Sequence, residues 1–294
     1  MTPDPAALRS GKGHRDENFP VASRLIQRRH RGIILAFYEF VRTADDIADH
    51  PSLPPHQKLD LLDRLEAGLI GKHDDGTEAI ALRSALQGRK LSPRHAQDLL
   101  TAFRMDVTKL RYRDLDDLMN YCAYSAMPVG RFVLDVHGED QSTWPANDAL
   151  CAALQIINHL QDCKDDYHNL NRVYIPQDAL AASGSGAEAL GGDCASPALL
   201  ECLHKLAART GVLLSESDGF AAAIGDWRLG LEVSVINTLA HRLTRLLQMR
   251  DPLRDNVHLG VPSVAGRTLI GILSGGSQRI GRRFLAGSQK PRGA

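Results

Sequence analysis

Apolar positions recur every three or four residues along most of the chain, and alternating strand patterns are scarce. Leu25, Ile26, Ile33, Ile34, Phe37, Phe40 and Val41 share helical spacing and predict a first helix over residues 22–48, ended by Pro51, Pro54 and Pro55. The same periodicity predicts helices over residues 56–70 and 78–86. Ser92-Pro93 reads as an N-cap followed by proline in the first turn, opening a helix that runs to residue 110. Asp114 or Asp116 starts the next, which reaches residue 136 with an interruption at Pro128. Residues 146–169, 198–224 and 227–248 complete the strong helical set, with a weaker segment over 264–273. Residues 171–197 are rich in Gly, Ser, Asp and Pro and read as a long loop. The chain is therefore expected to be all-α, with one domain over residues 14–275 between flexible segments at 1–13 and 276–294.

Composition narrows the classes. With 35 basic and 35 acidic residues the formal charge is zero, which argues against nucleic acid as a partner. Five cysteines, an odd number with no close CxxC spacing, disfavour a disulfide framework or a zinc site and fit a reducing cytoplasm. The N-terminus lacks the apolar core of a signal peptide, and no apolar run approaches the ~18–20 residues that span a bilayer. A cytoplasmic protein is expected, with peripheral membrane contact left open; the basic clusters at 24–31 and 279–292 would assist it.

Two acidic runs change the picture. Asp45-Asp46-Ile47-Ala48-Asp49 and Asp162-Cys163-Lys164-Asp165-Asp166 each place carboxylates four residues apart, on one face of a helix. Such pairs repel unless positive charge lies between them. The first run sits at the C-terminal end of its helix, where the helix dipole disfavours acids. Ile33, Phe37 and Phe40 nearby imply that this helix is largely buried, where unpaired acids are costly. Magnesium, which takes a few carboxylates plus water and phosphate oxygens, would resolve the conflict. A solvated acidic face is the plainer explanation of either run alone. The second run, however, extends a polar stripe of Gln155, Asn158, Asp162 and Asp166 along an otherwise apolar helix, as the wall of a polar cavity would. Around Pro128, Ser125, Ala126, Val129 and Gly130 either pack helices closely or leave room for a long apolar ligand. Asp114, Asp116 and Asp117 read as capping or surface residues, Asp251 and Asp255 as a loop or helix start, and most histidines as surface or core residues.

The segments FVRTADDIAD (40–49), YCAYSAMPVGR (121–131), QIINHLQDCKDD (155–166) and NRVYIP (171–176) together resemble the squalene/phytoene synthase family of head-to-head prenyl synthases. Within it, GHRDENFPVASRLI (13–26) and NHLQDC are similar to the hopanoid-pathway hydroxysqualene synthases. Gln161 and Asp165 stand where many relatives carry Arg and Glu. The resemblance implies an isoprenoid-synthase helical bundle around a central apolar cavity. It implies Mg²⁺ on Asp45, Asp49, Asp162 and Asp166, with Asp46 nearby. Arg42, Gln155, Asn158, Arg172 and Tyr174 would hold diphosphate, and Tyr121 would lie beside the reacting carbons. Phe19, Phe40, Ser125, Ala126, Val129 and Gly130 would contact the prenyl chain. The implied reaction joins water to presqualene diphosphate, giving hydroxysqualene without NADPH, with hopanoid-pathway enzymes as partners. Condensation of two farnesyl or geranylgeranyl diphosphates, and a catalytically silent isoprenoid-binding protein, are the alternatives.

Overall fold

The computed structural model of the protein describes residues 26–74 and 76–257. The segments expected at 1–13, 264–273 and 276–294, together with Phe19, lie outside the described residues.

Among the described residues the chain is all-α, with one isolated backbone bridge between Arg111 and Val173. The helices are α1 (Arg28–Ala48), α2 (Pro55–Leu69), α3 (Thr77–Arg89), α4 (Arg94–Thr108), α5 (Leu115–Ser125) and α6 (Met127–His137). They continue as α7 (Trp144–Gln161), α8 (Cys163–Leu170), α9 (Gln177–Ala182), α10 (Pro197–Ser215), α11 (Phe220–Ala223) and α12 (Trp227–Leu247). None of these is long and apolar enough to cross a membrane.

Two helices form the centre. On α7 an unbroken run from Ala149 to Ile157 is buried, so its neighbours α6, α10 and α12 cover it on several sides. On α1, Ile33, Ile34, Phe37, Phe40 and Val41 are buried, as the sequence spacing required, and the helix packs on α2, α3, α4 and α6. The α1 and α6 surfaces meet where Phe37 stacks on Phe132, with ring centroids 3.8 Å apart. Truncating either ring to alanine would remove about 3–5 kcal/mol.

Four expectations need correction, one of them the helix expected over 198–224, which is divided by a turn at 216–219 into α10 and the short α11. The interruption expected at Pro128 falls at Ala126 (φ −120°, ψ −49°). A proline ring excludes the carbonyl four residues back, so the helix breaks before it, and Pro128 then occupies the first turn of α6, where its missing N–H is no loss. The helix expected over 146–169 is divided at Asp162 (φ −103°, ψ 8°) into α7 and α8. The four-residue hydrogen bonds Asp162 N–H to Asn158 O (2.9 Å) and Asp166 N–H to Asp162 O (2.7 Å) span the division, which is therefore a kink. The expected loop over 171–197 contains α9 and a short 3₁₀ turn, Ala187–Gly191. Smaller readings hold: Asp114 caps α5 by accepting from Asp117 N–H at 2.9 Å, and Asp251 lies in a loop.

Candidate active site

The last two turns of α1 carry Arg42, Asp45 and Asp46, Asp49 is its C-cap residue, and all three acids are buried. Arg42 lies one helical turn before the acids, 3.7 Å from Asp45 Oδ2 and 3.3 Å from Asp46 Oδ1. Burial raises the pKa of Asp45 well above the usual carboxylate range, and the neighbouring Asp49 adds to the effect. Burial also raises that of Asp49, against the pull of Arg172. The positive charge that the acid spacing demanded is thus supplied in part by guanidinium groups.

Arg172 reaches this cluster because α8 ends at Asn171, whose left-handed backbone (φ 51°) reverses the chain. Arg111 fixes that residue, donating from Nη2 to Asn171 Oδ1 at 2.7 Å. Arg172 N–H then bonds to Asp166 O (3.0 Å), and Val173 N–H to Leu110 O (2.9 Å). The backbone of Arg172 is tied to the second acidic run, and its side chain reaches the first. Its Nη1 is 2.7 Å from Asp49 Oδ1, and its Nε donates to Asp106 O at 3.1 Å. Burial alone would lower its pKa; Asp106, Tyr174 and Asp49 more than reverse that, so it stays charged.

Asp106, on α4, is a second centre. The Tyr121 hydroxyl donates to its Oδ2 at 3.0 Å and the Tyr174 hydroxyl to its Oδ1 at 2.8 Å. Tyr174 stacks on His159, with centroids 3.6 Å apart. Burial pushes the His159 pKa down to about 3, so the ring is neutral. Its Nε2 lies 3.1 Å from Gln155 Nε2, and its Nδ1 is 3.9 Å from Asp166 Oδ2. The path Asp49–Arg172–Asp106–Tyr174–His159–Asp166 therefore joins the two acidic runs across one buried cluster. Within it, Gln155 Oε1 and Asn158 Nδ2 are shielded from solvent and lack a hydrogen-bond partner. Buried polar atoms of this kind call for a ligand. A cleft of about 190 Å³ opens beside Asp49, Lys58, Asp106, Asn169 and Arg172.

The second run is less enclosed: Asp166 is buried, Asp162 is half-buried at the kink, and Asp165 is exposed. Gln161, the position that departs from many relatives, donates to Val257 O at 2.9 Å and so ties α7 to the segment following α12. No three His, Cys, Asp or Glu side chains converge on one metal position among the described residues. Magnesium does not require such a cage, because it keeps several waters and shares phosphate oxygens. Hard carboxylate oxygens beside guanidinium donors and orphaned amides fit a Mg²⁺-diphosphate in donor chemistry.

Comparison with known proteins decides what this arrangement belongs to. The sequence profile described as squalene/phytoene synthase matches residues 13–262. The chain belongs to the squalene/phytoene synthase family. It is 64% identical to a hydroxysqualene synthase of Rhodopseudomonas palustris over 252 residues, 86% of each chain. With the hydroxysqualene synthase of Zymomonas mobilis it shares 51% identity, over 86% of each chain. Among solved structures, a squalene synthase from Alicyclobacillus acidocaldarius matches with TM-score 0.69 and 28% identity, covering 83% of this chain and 91% of that one. The chain is thus a squalene/phytoene synthase family enzyme with the all-helical fold of that family.

Of the residues singled out in the sequence, Arg42, Asp45, Asp46, Asp49, Tyr121, Gln155, Asp166, Arg172 and Tyr174 meet in the cluster, and Asn158 and Asp162 extend it along α7. Ser125, Ala126, Val129 and Gly130 lie at the α5–α6 junction, Ser125 one helical turn beyond Tyr121. A Cβ on Gly130 would fall 2.0 Å from Asn147 Oδ1 and 2.7 Å from Cys151 Sγ, so glycine there permits close packing of α6 on α7. Phe40 is fully enclosed in the core. Sequence reasoning missed Asp106, His159 and Lys58. Asp106 had a signal: it is a lone acid on the buried stripe of α4, one turn from Ala102 and two from Leu99.

Proposed function

We propose that this enzyme converts presqualene diphosphate and water to hydroxysqualene, releasing diphosphate, in squalene and hopanoid biosynthesis. The observation that carries this reading is the 64% identity to a hydroxysqualene synthase across 86% of both chains. The buried cluster supplies matching chemistry. Asp45, Asp46, Asp49, Asp162 and Asp166 would hold Mg²⁺, which when bound supplies positive charge to the departing diphosphate. Arg42 and Arg172 donate to diphosphate oxygens and stabilise the negative charge that develops there. The unpartnered Asn158 Nδ2 donates to those oxygens, and the unpartnered Gln155 Oε1 accepts from water bound beside them. The face of Tyr121 stabilises the cyclopropylcarbinyl cation left behind, whereas Phe40, enclosed in the core, presents no face to it. Ser125, Ala126, Val129 and Gly130, at the α5–α6 junction, would lie along the path of the prenyl chains. Water captures the rearranged cation, so NADPH is not needed. Substrate and product are lipophilic, and the basic cluster at 24–31 would hold the enzyme against an anionic membrane surface.

Purified enzyme with Mg²⁺ should be given presqualene, farnesyl or geranylgeranyl diphosphate, each with and without NADPH, and the products analysed by mass spectrometry. Hydroxysqualene from presqualene diphosphate alone is the expected result. Consumption of farnesyl diphosphate with presqualene diphosphate inert would overturn the reading in favour of head-to-head condensation.

A further inference from the structure

The carboxylate of Asp106 binds two phenols at once, one on each oxygen, from tyrosines that come from different parts of the fold. Tyr121 is on α5, and Tyr174 is on the segment that follows Asn171. Both rings are buried and fixed: Tyr112 packs against each, and His159 stacks on Tyr174. A buried acid holding two hydroxyls is an expensive way to secure packing, since a neutral side chain would satisfy them with less desolvation. The arrangement has a directional consequence. Each phenol gives its only proton to Asp106, so each oxygen can bond further only as an acceptor.

We propose that Asp106 is a positioning residue for the water-capture step and, through Tyr121 and Tyr174, the group that receives the proton released there. This rests on the function proposed above. Diphosphate departs with the electron pair of the C–O bond and leaves a cation. A water that donates one hydrogen to a tyrosine oxygen turns a lone pair toward that cation, and the new C–O bond forms from this pair. The product oxonium then passes its proton to the tyrosine oxygen while the tyrosine's own proton moves to Asp106. The alcohol is neutral, the phenol is restored, and one proton resides on the carboxylate until solvent takes it. Burial raises the pKa of Asp106 above its ordinary value, which favours this last acceptance.

The test compares wild type, Asp106→Asn and the double variant Tyr121→Phe/Tyr174→Phe, with presqualene diphosphate and Mg²⁺. Diphosphate release and hydroxysqualene are measured in the same reaction. Release depends on ionisation, and the ratio of alcohol to diphosphate depends on water capture. In both variants that ratio should fall by about tenfold, with other C30 products making up the difference. This is below the usual ~10²–10⁴ of a positioned general base, because the cation also reacts with unassisted water. A ratio unchanged in Asp106→Asn would overturn the proposal, even if release slows, because a merely structural role lowers both together. Should Asp106→Asn lack a cooperative melting transition, the tyrosine double variant decides, since it retains the carboxylate and the rings. Wild type that makes no hydroxysqualene would defeat the proposed function and the relay alike. Wild type that makes it, with variants of unchanged ratio, would defeat the relay alone.

Discussion

The two acidic runs have the same spacing and different surroundings. Asp45 sits on, and Asp49 caps, a continuous buried helix, with Arg42 and Arg172 beside them. Asp162 and Asp166 straddle a kink, the first half-buried and the second buried near His159. Four-residue spacing puts both members of each pair on one face, but tertiary packing decides whether that face is desolvated. The first run is a fixed wall whose charge is already partly balanced. The second is fixed at Asp166 and meets solvent at Asp162.

The contrast predicts unequal responses to substitution. Arg172→Ala should have the largest effect on stability, about 3 kcal/mol by chemical denaturation, because it leaves Asp49 buried without its closest cation. That is the low end for breaking a buried pair, since the raised pKa of Asp49 lets it take up a proton instead. Next, Mg²⁺ and diphosphate together at about 100 times their apparent Kd should stabilise the enzyme by about 2.7 kcal/mol, read as a rise in Tm. Asp45→Asn should abolish that rise. In metal-free protein the same Asp45→Asn change should itself stabilise by about 1 kcal/mol while activity is lost, because a desolvated carboxylate repelled by Asp49 is removed. Asp162→Asn should also remove activity, yet shift metal-free stability by less than about 0.5 kcal/mol, since its site is partly hydrated. Equal stabilisation by Asp45→Asn and Asp162→Asn would erase the distinction between the runs. Asp165→Asn, on an exposed position, should change neither stability nor turnover measurably.

Much of this was legible in the chain. Ile33, Phe37 and Phe40 announced that α1 was buried, which made its acids costly and pointed to a charged partner. The partner itself was not legible from spacing. Arg172 follows Asp49 by more than a hundred residues, and only the reversal at Asn171 brings it into contact. Asp106 shows the same limit: its tyrosines lie 15 and 68 positions away, so no local pattern joins them. The kink at Asp162 escaped notice because the polar stripe and the four-residue hydrogen bonds both run through it. Gln161 looked like a lost charge beside the acids, whereas its amide holds the Val257 carbonyl. Gly130 offered two readings, and the contact with Asn147 and Cys151 shows close helix packing on that side.

The central claim is that a cation generated in this cluster is captured by water. Turnover of presqualene diphosphate in H₂¹⁸O, with Mg²⁺ and without NADPH, tests it most directly. Hydroxysqualene carrying one ¹⁸O is the predicted product. Unlabelled hydroxysqualene, or hydrocarbon with no alcohol, would contradict the account.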